Sequence, residues 1–181
     1  MEIWDQSTAY IVGIDEAGRG PLAGPVAVGA VMVKAGRMQD FTRMFAGVKD
    51  SKKLSPQKRA AWAAILESAR EQGILDWKVS LVSAKTIDEK GITHAIKKGI
   101  RNTLERLGSP TEKSIVMLDG GLRAPREYPV QLTIIKGDEK VMVISLASIA
   151  AKVTRDRKME YFSRLYPEYA LHEHKGYGTH E

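Results

Sequence analysis

Residues 13–25 read Gly13-Ile14-Asp15-Glu16-Ala17-Gly18-Arg19-Gly20-Pro21-Leu22-Ala23-Gly24-Pro25. The apolar stretch from Thr8 to Ile14 predicts a first β-strand, and the acidic pair Asp15-Glu16 stands where that strand ends. Glycine and proline then interrupt regular structure until a second apolar stretch, Val26 to Val33, predicts the next strand. We therefore expect two carboxylates at the end of a buried strand, directly before a glycine-rich loop.

Strand and helix patterns alternate along the rest of the chain, which is typical of an α/β fold. Further strands are predicted at Trp77 to Val82, Ser114 to Leu118 and Val130 to Ile135. Helices are predicted at Pro56 to Gln72, Ser83 to Leu107 with a break near Gly91, and about Lys140 to Leu165. The stretch between the second strand and Ser55 and the tail from Leu171 to Glu181 are predicted to be loops. The length of 181 residues predicts one domain over residues 1–181.

The composition favours a globular protein of a reducing compartment. Hydrophobic residues make up 43% of the chain and there is no cysteine, so the core must hold without disulfides. The first residues carry no basic run followed by an apolar stretch, and no apolar run reaches the roughly 18 residues of a membrane helix. We expect a cytoplasmic monomer that does not enter a membrane.

The charge balance points to a polyanionic partner. The formal net charge is +6, and lysine and arginine bind nucleic acid by displacing counterions from its phosphates. A basic surface also occurs on proteins that bind no nucleic acid, so charge alone leaves both interpretations open.

Four acidic residues end predicted strands or follow them closely, namely Asp15, Glu16, Asp119 and Asp138. If the strands run parallel in one sheet, their carboxyl ends meet at one edge, where open α/β sheets bind ligands. Clustered carboxylates repel one another unless cations lie between them, and oxygen ligands suit Mg²⁺ or Mn²⁺. Two such ions could support phosphodiester hydrolysis. Each residue taken alone is more simply a turn residue, and only the set favours a site.

Polar and basic side chains offer contacts for nucleic acid. The Gly18-Arg19-Gly20 backbone could approach a 2′-hydroxyl, although this pattern alone is usually a turn. A polar stripe of Ser145, Ser148, Lys152 and Asp156 on the last long helix suggests that this stripe faces a site. Phosphates could be held by the cations Lys49, Lys52, Lys53, Lys152, Arg155 and Arg157. His172 and His174 could conceivably bind zinc, but their spacing fits no zinc motif and surface histidines are the simpler interpretation.

Six blocks of the chain resemble the ribonuclease HII family, in the order in which that family carries them. The first is the stretch 13–25 quoted above, which is long and specific. The later blocks are Asp50-Ser51-Lys52-Lys53-Leu54-Ser55, Leu118-Asp119-Gly120, Lys136-Gly137-Asp138, Ala147-Ser148-Ile149-Ala150-Ala151-Lys152-Val153-Thr154-Arg155-Asp156 and His174-Lys175-Gly176-Tyr177-Gly178-Thr179. The resemblance covers nearly the whole chain.

This resemblance implies a single RNase H-like catalytic domain with a mixed five-stranded sheet flanked by helices. It implies a two-metal site, with Mg²⁺ or Mn²⁺ held by Asp15, Glu16, Asp119 and Asp138. It implies nucleic-acid contacts by Gly18, Arg19, Gly20, Lys52, Ser148, Lys152 and Tyr177, with the tyrosine ring stacked on the deoxyribose after the ribonucleotide. The implied reaction cuts RNA/DNA hybrids, and duplex DNA on the 5′ side of an embedded ribonucleotide, leaving 3′-hydroxyl and 5′-phosphate ends.

The resemblance also has departures, which keep two alternatives open. The family continues past the tyrosine block into further helices, and this chain is expected to lack them because it stops at Glu181. A catalytically weak nucleic-acid-binding module is therefore one alternative. A different polynucleotidyl transferase or exonuclease on the same fold is the other, since a fold does not determine a function.

Overall fold

Five strands form one mixed sheet in the computed structural model, which describes residues 8–48 and 54–178. The strands are β1 (Tyr10–Ala17), β2 (Val26–Lys34), β3 (Leu75–Val82), β4 (Ser114–Asp119) and β5 (Gln131–Ile134). Their order is β3-β2-β1-β4-β5. The pairs β1–β4 and β4–β5 are parallel, whereas β1–β2 and β2–β3 are antiparallel. The predicted fold class is confirmed, and the carboxyl ends of β1, β4 and β5 share one edge.

Helices cover both faces of this sheet. They are α1 (Met38–Met44), α2 (Pro56–Glu71), α3 (Ala84–Lys90), α4 (Ile92–Leu107), α5 (Gly137–Lys140), α6 (Met142–Leu165) and α7 (Leu171–His174). Successive side chains of β1 alternate between the faces, so Ile11 packs with α1, α2 and α6 whereas Val12 and Ile14 pack with α4. Within the described ranges, no helix is long and apolar enough to span a bilayer.

The helix α6 lies directly on the centre of the sheet because two glycines leave room for its backbone. A Cβ on Gly13 would lie 2.7 Å from the amide nitrogen of Ile144. A Cβ on Gly29 would overlap the carbonyl oxygen of Ala147 and lie 3.1 Å from the amide nitrogen of Ala151. Gly29 is also the partner of Asp15 in the β1–β2 ladder. The close approach therefore brings α6 next to the first predicted acidic residue.

Several boundaries differ from the sequence-based expectation. Strand β1 continues to Ala17, so Asp15 and Glu16 lie inside its paired end and not after it. Strand β5 ends at Ile134, and Asp138 lies in the one-turn helix α5. Pairing with neighbouring strands determines where β1 and β5 end, and the hydrophobic pattern of the sequence does not reveal this pairing.

Two predicted loops contain helical turns. Residues 38–44 form α1, whose Phe41 is buried and packs its ring 5.2 Å from that of Phe45. The tail contains α7, and Gly176 after it is buried, so this segment is less exposed than predicted. Packing of Phe41 on the core stabilises α1, and α7 is held to α6 by the contact between His172 and Ser163. Isolated segments of this length could not form stable helices.

Replacing Gly29 by alanine tests the close packing of α6. We expect Gly29→Ala to lower the free energy of unfolding by about 1–3 kcal/mol, because the added methyl group must displace the α6 backbone. Urea denaturation followed by circular dichroism measures the change. Gly36→Ala is the matched control, since a Cβ there meets nothing within 4 Å. Wild-type stability in Gly29→Ala would contradict the packing described here.

Candidate active site

Three of the predicted acidic residues meet at the shared edge of the sheet. Ile14 and Leu118 are partners in the parallel β1–β4 ladder, so the next residues, Asp15 and Asp119, lie side by side on adjacent strands. Asp15, Glu16 and Asp119 all line one cavity of about 430 Å³. Asp15 is only 2% exposed, so its carboxyl group lies at the buried end of this cavity.

Burial and mutual repulsion make this cavity unfavourable for negative charge. The pKa of Asp15 is raised to about 8, mainly by burial, and the neighbouring Glu16 and Asp119 carboxylates contribute to this rise. A hydrogen bond from the Ser148 hydroxyl acts in the opposite direction. Burial, together with Asp119, also raises the pKa of Glu16, although Arg19 opposes this. Full ionisation of the cavity at neutral pH therefore requires added positive charge.

The fourth predicted carboxylate, Asp138, is placed differently. It is 1% exposed and is not among the residues that line the cavity. Its neighbour Gly137 donates its backbone N–H to Asp119 Oδ1 at 2.6 Å, so the α5 turn abuts the site. In residues 8–48 and 54–178, no group of three or more His, Cys, Asp or Glu side chains is already arranged to hold a metal ion. Three of the predicted carboxylates thus line one cavity, and the fourth is buried in the turn next to Asp119.

Six of the seven predicted nucleic-acid-binding residues line the same cavity, and these are Gly18, Arg19, Gly20, Ser148, Lys152 and Tyr177. The seventh, Lys52, lies outside the described residues, as do Lys49 and Lys53. A Cβ on Gly20 would lie 3.8 Å from Cε1 of Tyr177, so the glycine-rich loop and the tyrosine ring are neighbours. Tyr177 is 48% exposed and can offer its ring to a ligand.

One cavity residue, Arg59 in the first turns of α2, was not predicted from the sequence. Its Nη2 lies 3.9 Å from Asp156 Oδ2, and Lys152 Nζ lies 2.7 Å from Asp156 Oδ1. Arg59 Nη1 also donates to the carbonyl oxygen of Leu54. Asp156 therefore holds two cations beside the cavity. In the sequence Arg59 looks like an ordinary exposed arginine. Only the position of α2 across from α6 places it at the cavity.

Arg155 was one of the cations that could have held phosphates, but the structure gives it a different role. The side chain is 1% exposed and hydrogen-bonds to backbone carbonyl oxygens instead of facing the cavity. Burial lowers the pKa of its guanidinium group. The histidines are also engaged locally, since His172 Nδ1 lies 2.8 Å from Ser163 Oγ and His174 Nε2 lies 2.8 Å from the Tyr169 carbonyl oxygen.

Comparison with known proteins places this geometry in a family. A family model described as Ribonuclease HII matches residues 12–181. The chain belongs to the ribonuclease HII family. It is therefore an endonuclease of the ribonuclease H type, which acts on nucleic acid.

Three of the similar proteins show how far the likeness extends. Ribonuclease HII from Caldicellulosiruptor bescii is 42% identical over 180 residues, which are 99% of this chain and 81% of that protein. The ribonuclease HII in the PCNA complex from Archaeoglobus fulgidus superposes with a TM-score of 0.71 at 30% identity, over 93% of this chain and 82% of that one. Bst-RNase HIII in complex with Mn²⁺ shares the fold, with a TM-score of 0.64 at 19% identity, over 88% of this chain and 56% of that one.

The raised pKa of Asp15 predicts how metal-free ribonuclease responds to pH. The folded state keeps the Asp15 proton that the unfolded chain releases near its ordinary value of 3.8, so stability falls as pH rises from about 4 to about 8. We expect Asp15→Asn to remove this contribution. In EDTA at pH 8 its midpoint of thermal unfolding should exceed that of the wild type by at least about 2 °C, with a smaller difference at pH 5. An exposed substitution, Glu112→Gln, is the control. If Asp15→Asn unfolded at a lower temperature than the wild type at pH 8, the raised pKa of Asp15 would be disproved.

Proposed function

We propose that the cavity hydrolyses RNA in RNA/DNA hybrids, and duplex DNA on the 5′ side of an embedded ribonucleotide, leaving 3′-hydroxyl and 5′-phosphate ends. One observation carries this proposal. The acidic residues Asp15, Glu16 and Asp119 line the same cavity as six residues assigned to nucleic-acid binding. The family membership of the chain supports the same reaction.

The residues of the cavity fit divalent metal ions. Carboxylate oxygens are the ligands that Mg²⁺ and Mn²⁺ prefer, and among the described residues no histidine lines this cavity. The raised pKa of Asp15, caused mainly by burial, indicates that added positive charge in the cavity would stabilise its ionised form. We assign Asp15, Glu16 and Asp119, with Asp138 behind them, as the ligands of two ions. When bound, such ions supply an activated water and stabilise the leaving oxygen. The Mn²⁺ in the ribonuclease HIII structure agrees with this choice.

The other cavity residues bind and orient the substrate in this proposal. Lys152 and Arg59, held by Asp156, supply positive charge for backbone phosphates. The hydrogen bond from Ser148 orients the carboxyl group of Asp15. The remaining contacts come from the loop of Gly18, Arg19 and Gly20, which approaches the 2′-hydroxyl, and from Tyr177, which stacks on the next sugar. The bridge between Arg19 Nη1 and Glu16 Oε1 is 3.5 Å long and exposed, so it can open when substrate binds.

The proposal extends to the organisation of the chain. We assign residues 1–181 as one catalytic domain, because the described residues of the site lie on β1, β4, α2, α6 and adjoining loops, which surround a single sheet. We also infer a monomer of the cytoplasm, in keeping with the absence of cysteine.

Cleavage of a labelled DNA duplex with one internal ribonucleotide tests the function directly. We expect one cut on its 5′ side with Mg²⁺ or Mn²⁺, and none with chelator. Asp119→Asn should lose at least about 100-fold in rate. It should still fold, since its amide oxygen can accept the Gly137 N–H. Asp88→Asn, an exposed change on α3, is the matched control. Salt-sensitive binding without cleavage would instead support a binding module, and equal cutting of all-DNA duplexes would support a different nuclease.

Replacing Arg59 tests the phosphate contact that the structure adds. We expect Arg59→Met to raise KM several-fold with little change in kcat, because a phosphate contact binds the ground state and the transition state alike. The slope of log affinity against log salt should fall by about 1. Arg70→Met, at the other end of the same helix, is the control. An unchanged salt dependence in Arg59→Met would remove Arg59 from the binding surface.

A further inference from the structure

The side chain of Arg155 joins two loops that border the cavity. It projects from the middle of α6 and is 1% exposed. Its Nε donates to the carbonyl oxygen of Pro25 at 2.9 Å and its Nη2 to that of Ala23 at 3.0 Å. Its Nη1 donates to the carbonyl oxygen of Lys175 at 2.9 Å. The first two acceptors follow the Gly18–Gly20 motif, and the third lies two residues before Tyr177.

A second set of contacts holds the same two loops together. The carbonyl oxygen of Gly176 accepts the backbone N–H of Leu22 at 2.8 Å and that of Ala23 at 3.3 Å. Gly176 is buried and has a φ of +85°, and a Cβ there would overlap the carbonyl oxygen of Ala23. The tyrosine loop therefore sits on the glycine-rich loop without space for a side chain between them.

The guanidinium group is also packed against the start of the glycine-rich loop. A Cβ on Gly18 would overlap Nε of Arg155 and lie 2.6 Å from its Cδ. Gly18 has a φ of +96°, a conformation that favours glycine. Arg155 thus contacts the backbone at Gly18, Ala23, Pro25 and Lys175, on both sides of the proposed ribonucleotide site.

The chemistry of this contact requires arginine. One planar guanidinium group carries several N–H donors in a fixed fork, whereas the lysine ammonium group is a single point charge. Removing the side chain would take a hydrogen-bond donor from one buried and two partly buried carbonyl oxygens, which destabilises their present arrangement. The two loops would then lose their common anchor on α6.

We propose that Arg155 is a positioning residue that fixes the distance between the Gly18–Gly20 loop and Tyr177, and thereby sets the preference for an isolated ribonucleotide. This inference rests on the proposed function, in which the loop contacts the 2′-hydroxyl and the tyrosine contacts the following sugar. At a single ribonucleotide both contacts must form at one step of the duplex. In a continuous hybrid every nucleotide of the RNA strand carries a 2′-hydroxyl. Loops that are less precisely positioned can therefore still bind the substrate in a position that allows cleavage.

The experiment measures how the whole 181-residue chain and its variants cleave two different substrates. For Arg155→Met, kcat/KM on DNA with one ribonucleotide should fall by about 10- to 100-fold, the size expected for small misplacements of substrate. The loss on a continuous RNA/DNA hybrid should be several-fold smaller. Arg155→Lys keeps the positive charge, but it should lose the preference for the single-ribonucleotide substrate as Arg155→Met does. Binding of Mn²⁺ alone should stay unchanged in both variants. Arg164→Met removes an exposed arginine of the same helix and should behave as wild type.

Two further variants keep the test informative if Arg155→Met folds poorly. Gly176→Ala disturbs the same loop contact from the other side and should show the same substrate-dependent loss, with Gly36→Ala as its control. A double-mutant cycle of Arg155→Lys with Tyr177→Ala measures whether Arg155 acts through the tyrosine. The loss caused by Arg155→Lys on the single-ribonucleotide substrate should shrink at least about threefold when Tyr177 is already alanine.

The outcomes separate this inference from the proposed function. Equal losses on both substrates, or losses that multiply in the cycle, would show that Arg155 supports folding alone and would overturn the inference while the function stands. If the wild type cuts hybrids but never a single embedded ribonucleotide, the proposed function fails and the inference fails with it.

Discussion

The contact between α6 and the centre of the sheet determines where every other part of the site lies. It depends on two glycines, Gly13 and Gly29, at which no side chain separates the sheet from the helix backbone. Since Gly29 is the ladder partner of Asp15, the helix passes beside the buried carboxyl group. This brings the Ser148 hydroxyl within hydrogen-bonding reach of Asp15. A wider spacing between helix and sheet would separate these two groups.

The same burial that organises the site creates its electrostatic strain. Three carboxylates around one cavity repel one another, and the low polarity around Asp15 favours its protonated form. Arg19 relieves part of this repulsion at Glu16, whereas Lys152 and Arg59 are directed to Asp156. The negative charge of the cavity carboxylates is thus not fully balanced by the neighbouring cations of the folded chain. In the proposed mechanism divalent ions supply the balancing charge, so metal binding also stabilises the site.

Much of this arrangement could be predicted from the sequence, and the remainder could not for identifiable reasons. The meeting of Asp15 and Asp119 follows from parallel strands that end in acidic residues, and hydrophobic runs report strands well. The site-facing stripe on α6 was also predicted, because Ser148 and Lys152 interrupt an apolar helix at helical spacing. The position of Asp138 could not be predicted, since strand pairing decides where β5 ends.

Two arginines make contacts that could not be predicted from the sequence. Arg59 and Arg155 are indistinguishable from solvated cations in the sequence, because the partners that define them lie far away along the chain. Arg155 reaches acceptors 130, 132 and 20 residues distant in sequence. Interactions of this kind depend on tertiary structure and leave no local pattern, so an expectation drawn from charge alone assigned Arg155 to phosphate instead of to backbone.

One face of α6 links the chemistry of the site to its substrate loops. Ser148, Lys152 and Arg155 follow one another at spacings of four and three residues, so they project from the same side of the helix. The first contacts the carboxyl group of Asp15, the second lines the cavity, and the third hydrogen-bonds to both loops. Because all three project from one helix of 24 residues that is packed on the sheet centre, their relative positions are set by the helix backbone. The distance from the carboxylates to the proposed ribonucleotide contacts therefore depends on secondary structure, although those contacts themselves lie on loops.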